Sequence, residues 1–265
     1  MRGSRVELYF ERWGDTGPPV LILHGLFGSS RNWRSIGKRL AEKCRVYAID
    51  QRNHGKSCHA NALDYSVLAD DVLEFVDRQG IGPLAVVGHS MGGKVAATVA
   101  LESPSHVTHL VVVDIAPLRP STETRTILDA LLRTDVSKCA SRQEVDGRLA
   151  VMVADARTRN FLLTNLERDR DGALAWRMNL AAIEAHYEEI AAPIATRATF
   201  GGPALFVNGG RSEHLRSTDR TPIRELLPGA EFVEVEEAGH WVHADAPDRF
   251  VAVVLAFLSR SPRSG

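Results

Sequence analysis

Four short apolar runs set the rhythm of the first half of this chain: Val20-Leu21-Ile22-Leu23, Val46-Tyr47-Ala48-Ile49, Leu84-Ala85-Val86-Val87 and Leu110-Val111-Val112-Val113. They are continuous rather than alternating, as strands are when both faces of a parallel sheet are covered. Residues 5–13 alternate instead, which predicts an edge strand ended by Gly14-Asp15-Thr16-Gly17-Pro18-Pro19. Between the runs the period changes. Residues 31–43 place Trp33, Ile36, Leu40 and Ala41 on one side of a helix, and residues 64–79 do the same with Leu68, Val72, Phe75 and Val76. Strands and helices that alternate over short links predict a mostly parallel central sheet with helices on both faces, an α/β fold.

The rhythm breaks after Pro117. Residues 118–200 hold helical patterns at about 123–133, 142–154, 157–166 and 173–188, with no buried strand. Strands resume at Ala204-Leu205-Phe206-Val207 and Glu231-Phe232-Val233-Glu234-Val235, and helices are expected at 219–227 and 246–259. The expectation is a core domain of residues 1–117 and 201–265, interrupted by a helical cap at 118–200 and ending in a disordered tail at 260–265.

Composition changes this picture little. With 265 residues, 44% hydrophobic, 25% charged and a formal net charge of -1, the chain makes no electrostatic case for nucleic acid or an anionic membrane as partner. Three scattered cysteines without metal-type spacing fit a reducing compartment. The first residues lack an apolar leader, and no run is long enough to span a bilayer, so a cytoplasmic protein is expected.

The chemistry concentrates at the ends of the apolar runs. Gly88-His89-Ser90-Met91-Gly92 follows one strand and opens an alanine-rich helix. A G-x-S-x-G turn at that place holds a serine in a strained conformation that only small neighbours allow, with its hydroxyl exposed beyond the strand. Alone the pattern is weak, since chance would produce it about 0.1 times in a chain of this size. Its partners add weight. A serine nucleophile needs a base, an acid to orient the base, and donors for the developing oxyanion. His240, in Glu237-Ala238-Gly239-His240-Trp241 after the last strand, is the expected base. Two carboxylates preserve the chain order serine, acid, histidine: Asp114 at the end of Leu110-Val111-Val112-Val113, and Glu213 in Gly209-Gly210-Arg211-Ser212-Glu213. Asp114 is favoured, because a carboxylate emerging from a buried strand is costly unless paired. The backbone N–H groups of Met91 and of Leu26, or Phe27 beside it, are the expected oxyanion donors. His24, His54 and His89 are read as structural. A metal pair of His240 and His243 lacks a third ligand at suitable spacing, so no metal is expected. No P-loop, dinucleotide fingerprint or H-E-x-x-H is present.

Taken together, His24-Gly25-Leu26-Phe27-Gly28-Ser29, Asp50-Gln51-Arg52-Asn53-His54-Gly55, Gly88-His89-Ser90-Met91-Gly92-Gly93-Lys94, Asp114-Ile115-Ala116-Pro117 and Gly239-His240-Trp241-Val242-His243-Ala244 resemble the α/β-hydrolase superfamily, and within it the YbfF-type esterase branch. The resemblance extends more loosely into the cap through Trp176-Arg177-Met178-Asn179-Leu180. It implies an α/β-hydrolase fold and cofactor-independent hydrolysis of carboxylic esters, with thioesters as a further class. It also implies that the acid is the aspartate of the Asp-Ile-Ala-Pro segment, here Asp114. Many other α/β-hydrolases carry it where this chain has Glu213.

The expected function is therefore that of a serine carboxylesterase acting on a small acyl ester through Ser90, His240 and Asp114 by way of an acyl-enzyme. Phe27, Met91, Phe161, Trp176, Met178 and Trp241 are candidate linings of an apolar crevice between sheet and cap. The alternatives are a hydrolase-fold ligand receptor or signalling protein with slow turnover, and the related thioesterase, lactonase, C–C hydrolase and perhydrolase chemistries. Nothing in the sequence bears on oligomeric state.

Overall fold

The computed structural model describes residues 6–121 and 123–260. Of the tail expected to be disordered, Arg260 is described and pairs with Glu231 at 2.7 Å, while residues 261–265, like most of the stretch searched for a leader, lie outside them. A seven-stranded sheet runs through the centre in the order β1-β3-β2-β4-β5-β8-β9. Its members are β1 (Phe10–Trp13), β2 (Pro19–Leu23), β3 (Arg45–Ile49), β4 (Leu84–His89), β5 (Val107–Val113), β8 (Ala204–Gly209) and β9 (Ala230–Val235). Only β1 is antiparallel, pairing with β3 at the edge, and every other neighbouring pair is parallel. The continuous apolar runs are thus explained: β2, β4, β5 and β8 lie inside the sheet, and their side chains feed two cores, one on each face.

Helices α1 (Arg34–Leu40), α2 (Tyr65–Gln79) and α3 (Met91–Glu102) fill the crossovers among the first strands. α2 begins on the side chain of Asp64, which accepts from the Val67 N–H, and ends on Gly80 in the left-handed conformation. α3 is the most deeply enclosed helix: Met91 to Leu101 are all buried.

Between β5 and β8 the chain leaves the sheet. It forms α4 (Arg125–Arg133), α5 (Arg142–Leu149), α6 (Ala156–Leu163), a separate hairpin of β6 (Leu166–Arg168) and β7 (Leu174–Trp176), then α7 (Leu180–Ala185) and α8 (Tyr187–Ala191). The hairpin corrects the helix expected at 173–188. Asp169 accepts from the N–H groups of Asp171 and Ala173, and Gly172 adopts φ +84, so the chain turns back as a strand. Helix returns only at Leu180, where the Asn179 side chain caps it. After β8 come α9 (Arg220–Leu226), β9, α10 (Val242–Asp245) and α11 (Pro247–Leu258).

One buried lysine ties this excursion to the sheet. Lys94 of α3 donates through Nζ to the carbonyls of Arg119, Ala191 and Ala192, at 3.1, 3.4 and 2.7 Å. Those carbonyls lie where the chain enters and leaves the excursion. Burial lowers the Lys94 ammonium to about 8.

Candidate active site

All the parallel strands end at one edge of the sheet, and the loops leaving four of them carry unusual backbone. Phe27 after β2, Asn53 after β3, Ser90 after β4 and Asp114 after β5 have φ of 62, 65, 52 and 50. Non-glycine residues in the left-handed region cost of order 1–3 kcal/mol each and persist where surrounding structure dictates them.

Ser90 sits at the apex of the turn from β4 into α3, with its N–H donating to the Val113 carbonyl at 3.0 Å. The turn is possible because its glycines lack side chains. A methyl group on Gly88 would lie 2.0 Å from the Gly92 carbonyl oxygen, and one on Gly92 would lie 2.4 Å from that of Leu23. The loop after β2 crosses the serine closely, so that a methyl group on Gly25 would approach Ser90 Cβ to 3.2 Å. His24 braces that loop from beneath. Its Nδ1–H donates to the Gly25 carbonyl at 2.8 Å, while its Nε2 accepts from the Gln51 N–H at 3.0 Å. Burial pushes this imidazole down to about 4, so it stays neutral. His54, donating to the Arg52 carbonyl, is likewise lowered to about 3. Among the described residues, neither the Leu26 nor the Met91 N–H has a backbone or side-chain acceptor. Both are close in sequence to the glycine contacts just described.

Asp114 is wholly buried, and its carboxylate is saturated. Oδ1 accepts from the Gly209 N–H at 3.0 Å, and Oδ2 accepts from the Ser212 hydroxyl and from His240 Nδ1, the latter at 2.7 Å. Glu213 is placed elsewhere. Its carboxylate is 81% exposed and pairs with Arg216 at 3.0 Å, because the loop after β8 turns Ser212 inward to Asp114 and Glu213 outward. The carboxylate on His240 is therefore that of Asp114. An imidazole held at Nδ1 by a carboxylate has the tautomer and orientation of a general base whose working atom is Nε2.

The His240 loop is anchored to the serine turn by His89, whose Nε2–H donates to the His240 carbonyl at 2.9 Å. Burial and the neighbouring imidazoles hold His89 well below the ordinary histidine range. His243 packs away from His240's carboxylate partner, its ring stacked on Trp33 at 4.1 Å. Among the described residues, the one group of histidines and carboxylates close enough to share an ion is Asp114, His214 and His240, with ligating atoms within 4.8 Å. His214 was not singled out by any motif. The only signal was its place just beyond Ser212 and Glu213, in a loop whose direction the sequence does not disclose.

A cavity of about 570 Å³ opens beside the serine turn, lined in part by Gly25, His89, Phe161, Trp241, Arg157 and Arg211. Phe161 and Trp241 face one another at 5.6 Å between ring centroids. Phe27, Met91 and Met178 are not in that wall; they are buried in the larger core, with Trp176 packed against it. These four were expected to line a crevice because they are apolar and lie near the motifs, but the same property serves packing. Among the described residues, no helix is long and apolar enough to cross a membrane.

Residues 18–247 match the α/β hydrolase fold family. The chain belongs to that family. Within this α/β hydrolase's relatives, the sn-1-specific diacylglycerol lipase ABHD11 of Danio rerio is 38% identical over 257 residues, covering 94% of this chain and 80% of that protein. The esterase YbfF of Escherichia coli is 29% identical over 245 residues, covering 91% and 93%. Among solved structures, a marine microorganism esterase superposes with a TM-score of 0.93 at 37% identity, covering 95% of this chain and 99% of that one.

Proposed function

We propose that this α/β hydrolase is a serine carboxylesterase in which Ser90 is the nucleophile, His240 the general base and Asp114 the residue that orients it. The observation that carries this reading is the 2.7 Å bond from His240 Nδ1 to a buried Asp114, on the strand edge where Ser90 tops its strained turn. Relatives described as a lipase and as esterases support the choice of ester substrates.

In this mechanism His240 Nε2 takes the Ser90 hydroxyl proton as Oγ attacks the ester carbonyl carbon. The carbonyl oxygen gains the negative charge and meets the N–H groups of Leu26 and Met91, at the N-terminal end of α3. The tetrahedral intermediate collapses when imidazolium His240 gives its proton to the departing alkoxide, leaving an acyl-Ser90 ester. Water then enters, His240 removes its proton, and the same steps return free serine and a carboxylic acid. Asp114 holds the Nδ1–H throughout and stabilises the imidazolium. No step draws on a cofactor. Residues 118–200 act as a cap over this edge, with Phe161 giving the acyl group an apolar wall together with Trp241 of the core.

A panel of p-nitrophenyl esters of graded acyl length, run on wild type and Ser90→Ala, tests the reading. Wild type turns over repeatedly, and the substitution removes about a million-fold of kcat, as loss of a serine of this kind does. A variant that keeps turning over esters at a rate close to wild type contradicts it.

A further inference from the structure

His214 is the residue in this site that the proposed reaction leaves without a task. It is partly buried, and its ring lies 4.0 Å from that of His240 between centroids, with the planes tilted by 34°. This is face contact. Its backbone is fixed on both sides to the loops that build the Asp114 pocket: the Ala116 N–H donates to the His214 carbonyl at 2.9 Å, and the His214 N–H donates to Ser212 Oγ at 3.3 Å. Ser212 in turn donates to Asp114.

We propose that His214 is a positioning residue: its neutral ring covers one face of His240, holds that imidazole in line with Asp114, and favours the imidazolium that forms during turnover. The inference rests on the reading of His240 as the base. A single hydrogen bond at Nδ1 fixes one point of a ring and leaves it free to tilt, whereas a flat group against its face fixes the plane. His240 keeps 22% of its surface exposed, so without that cover it has room to swing toward water. A neutral aromatic face next to a forming cation is also attractive.

The arrangement requires that His214 not take the proton itself. Burial and the adjacent His240 lower it to about 4, against the opposing pull of Asp114 and Glu123, with Arg119 adding to the lowering. His240 is faced by Asp114 and by the rings of His214, His89 and Trp241, the last two at 4.6 and 5.9 Å between centroids and more steeply inclined than His214, and His89 is also held neutral. Near neutral pH, therefore, both imidazoles packed against His240 are held in their neutral form.

The experiment compares wild type with His214→Ala, His214→Asn and His214→Phe. It reads kcat and KM on one p-nitrophenyl ester, together with the proton NMR resonance of the His240 Nδ1–H bonded to Asp114. Alanine and asparagine, which lack a ring, are expected to lower kcat by about tenfold with KM within about twofold of wild type, the size of a sheltered cation–aromatic contact. In both, the Nδ1–H resonance broadens by faster exchange with water. Phenylalanine, a flat ring that cannot titrate, restores kcat to within about twofold and restores the resonance. Thermal unfolding, read on all four proteins, separates a folding defect from a lost contact: the phenylalanine variant must recover rate, and not merely melting temperature. Wild-type kcat and resonance in the alanine and asparagine variants overturn the proposal, as does a phenylalanine variant as slow as alanine. If instead Ser90→Ala retains turnover, it is the serine mechanism that fails, whatever His214 does.

Discussion

Asp114 has no exposed surface and three donors on its two oxygens, from Gly209, Ser212 and His240. Those donors offset the cost of burying the carboxylate, and one of them is the proposed base. Asp114→Asn keeps the shape but replaces one oxygen with an NH2 donor, so it cannot accept at once from the Gly209 N–H on one side and from Ser212 and His240 Nδ1–H on the other. The proposed mechanism predicts a fall in kcat of about ten-thousandfold on a p-nitrophenyl ester, the size of effect that comes from losing the correct imidazole tautomer. Glu213→Gln, changing an exposed side chain paired with Arg216, should leave kcat within about twofold. Equal losses in the two variants would contradict this division. At this scale Ser90 and His240 stood out in sequence because each occupies a recognisable turn at a strand end. Asp114 and Glu213 both follow a strand and preserve chain order, so the preference for Asp114 rested on the cost of an unpaired carboxylate leaving a buried strand and on the resemblance of the Asp-Ile-Ala-Pro segment. What separates them is the inward turn of Ser212, a property of loop path. His214 was invisible for the same reason.

Elements explain why these side chains meet. β2, β3, β4 and β5 each release the chain into a loop containing one left-handed non-glycine residue, and in the loops of β2 and β4 neighbouring glycines permit backbone contacts that a methyl group would forbid. Strand runs were plain to read because both faces of the inner strands are covered. Helix starts were readable too, α2 from the apolar spacing of residues 64–79 and α3 from the Gly-x-Ser-x-Gly turn. The hairpin of β6 and β7 was missed. Leu174, Trp176 and Met178 recur every second residue, a strand period, but a short exposed pair carries little weight against the helix-forming alanines that follow. The Asp169 and Gly172 turn was the decisive signal. Within residues 118–200 the elements are short and pack on one another, so their order was only partly legible.

The molecule as a whole buries an unusual set of neutral imidazoles at one edge of its sheet. His24, His54, His214 and His243 are lowered to about 4, 3, 4 and 3, chiefly by burial, and His89 lies well below its ordinary range. In the unfolded chain each takes up a proton near pH 6.5, as free histidine does. Between that pH and about 4 the unfolded state therefore binds more protons than the folded one, and unfolding is favoured as pH falls through this window. The thermal midpoint should drop steeply from pH 7 to pH 4.5 while changing little from pH 7 to pH 8. A flat profile across the acid window would mean these imidazoles are not buried in their neutral form. The same edge brings together the loops of β2, β4, β5, β8 and β9, which is why motifs scattered from His24 to His240 describe one site. Ser90 is the proposed nucleophile at that edge. The most direct measurement is peptide mapping by mass spectrometry after brief reaction with a fluorophosphonate at pH 7.5. One phosphonyl group per chain, on the peptide containing Ser90, is the predicted result. A protein left unlabelled, or labelled at another residue while Ser90 stays free, would contradict the account.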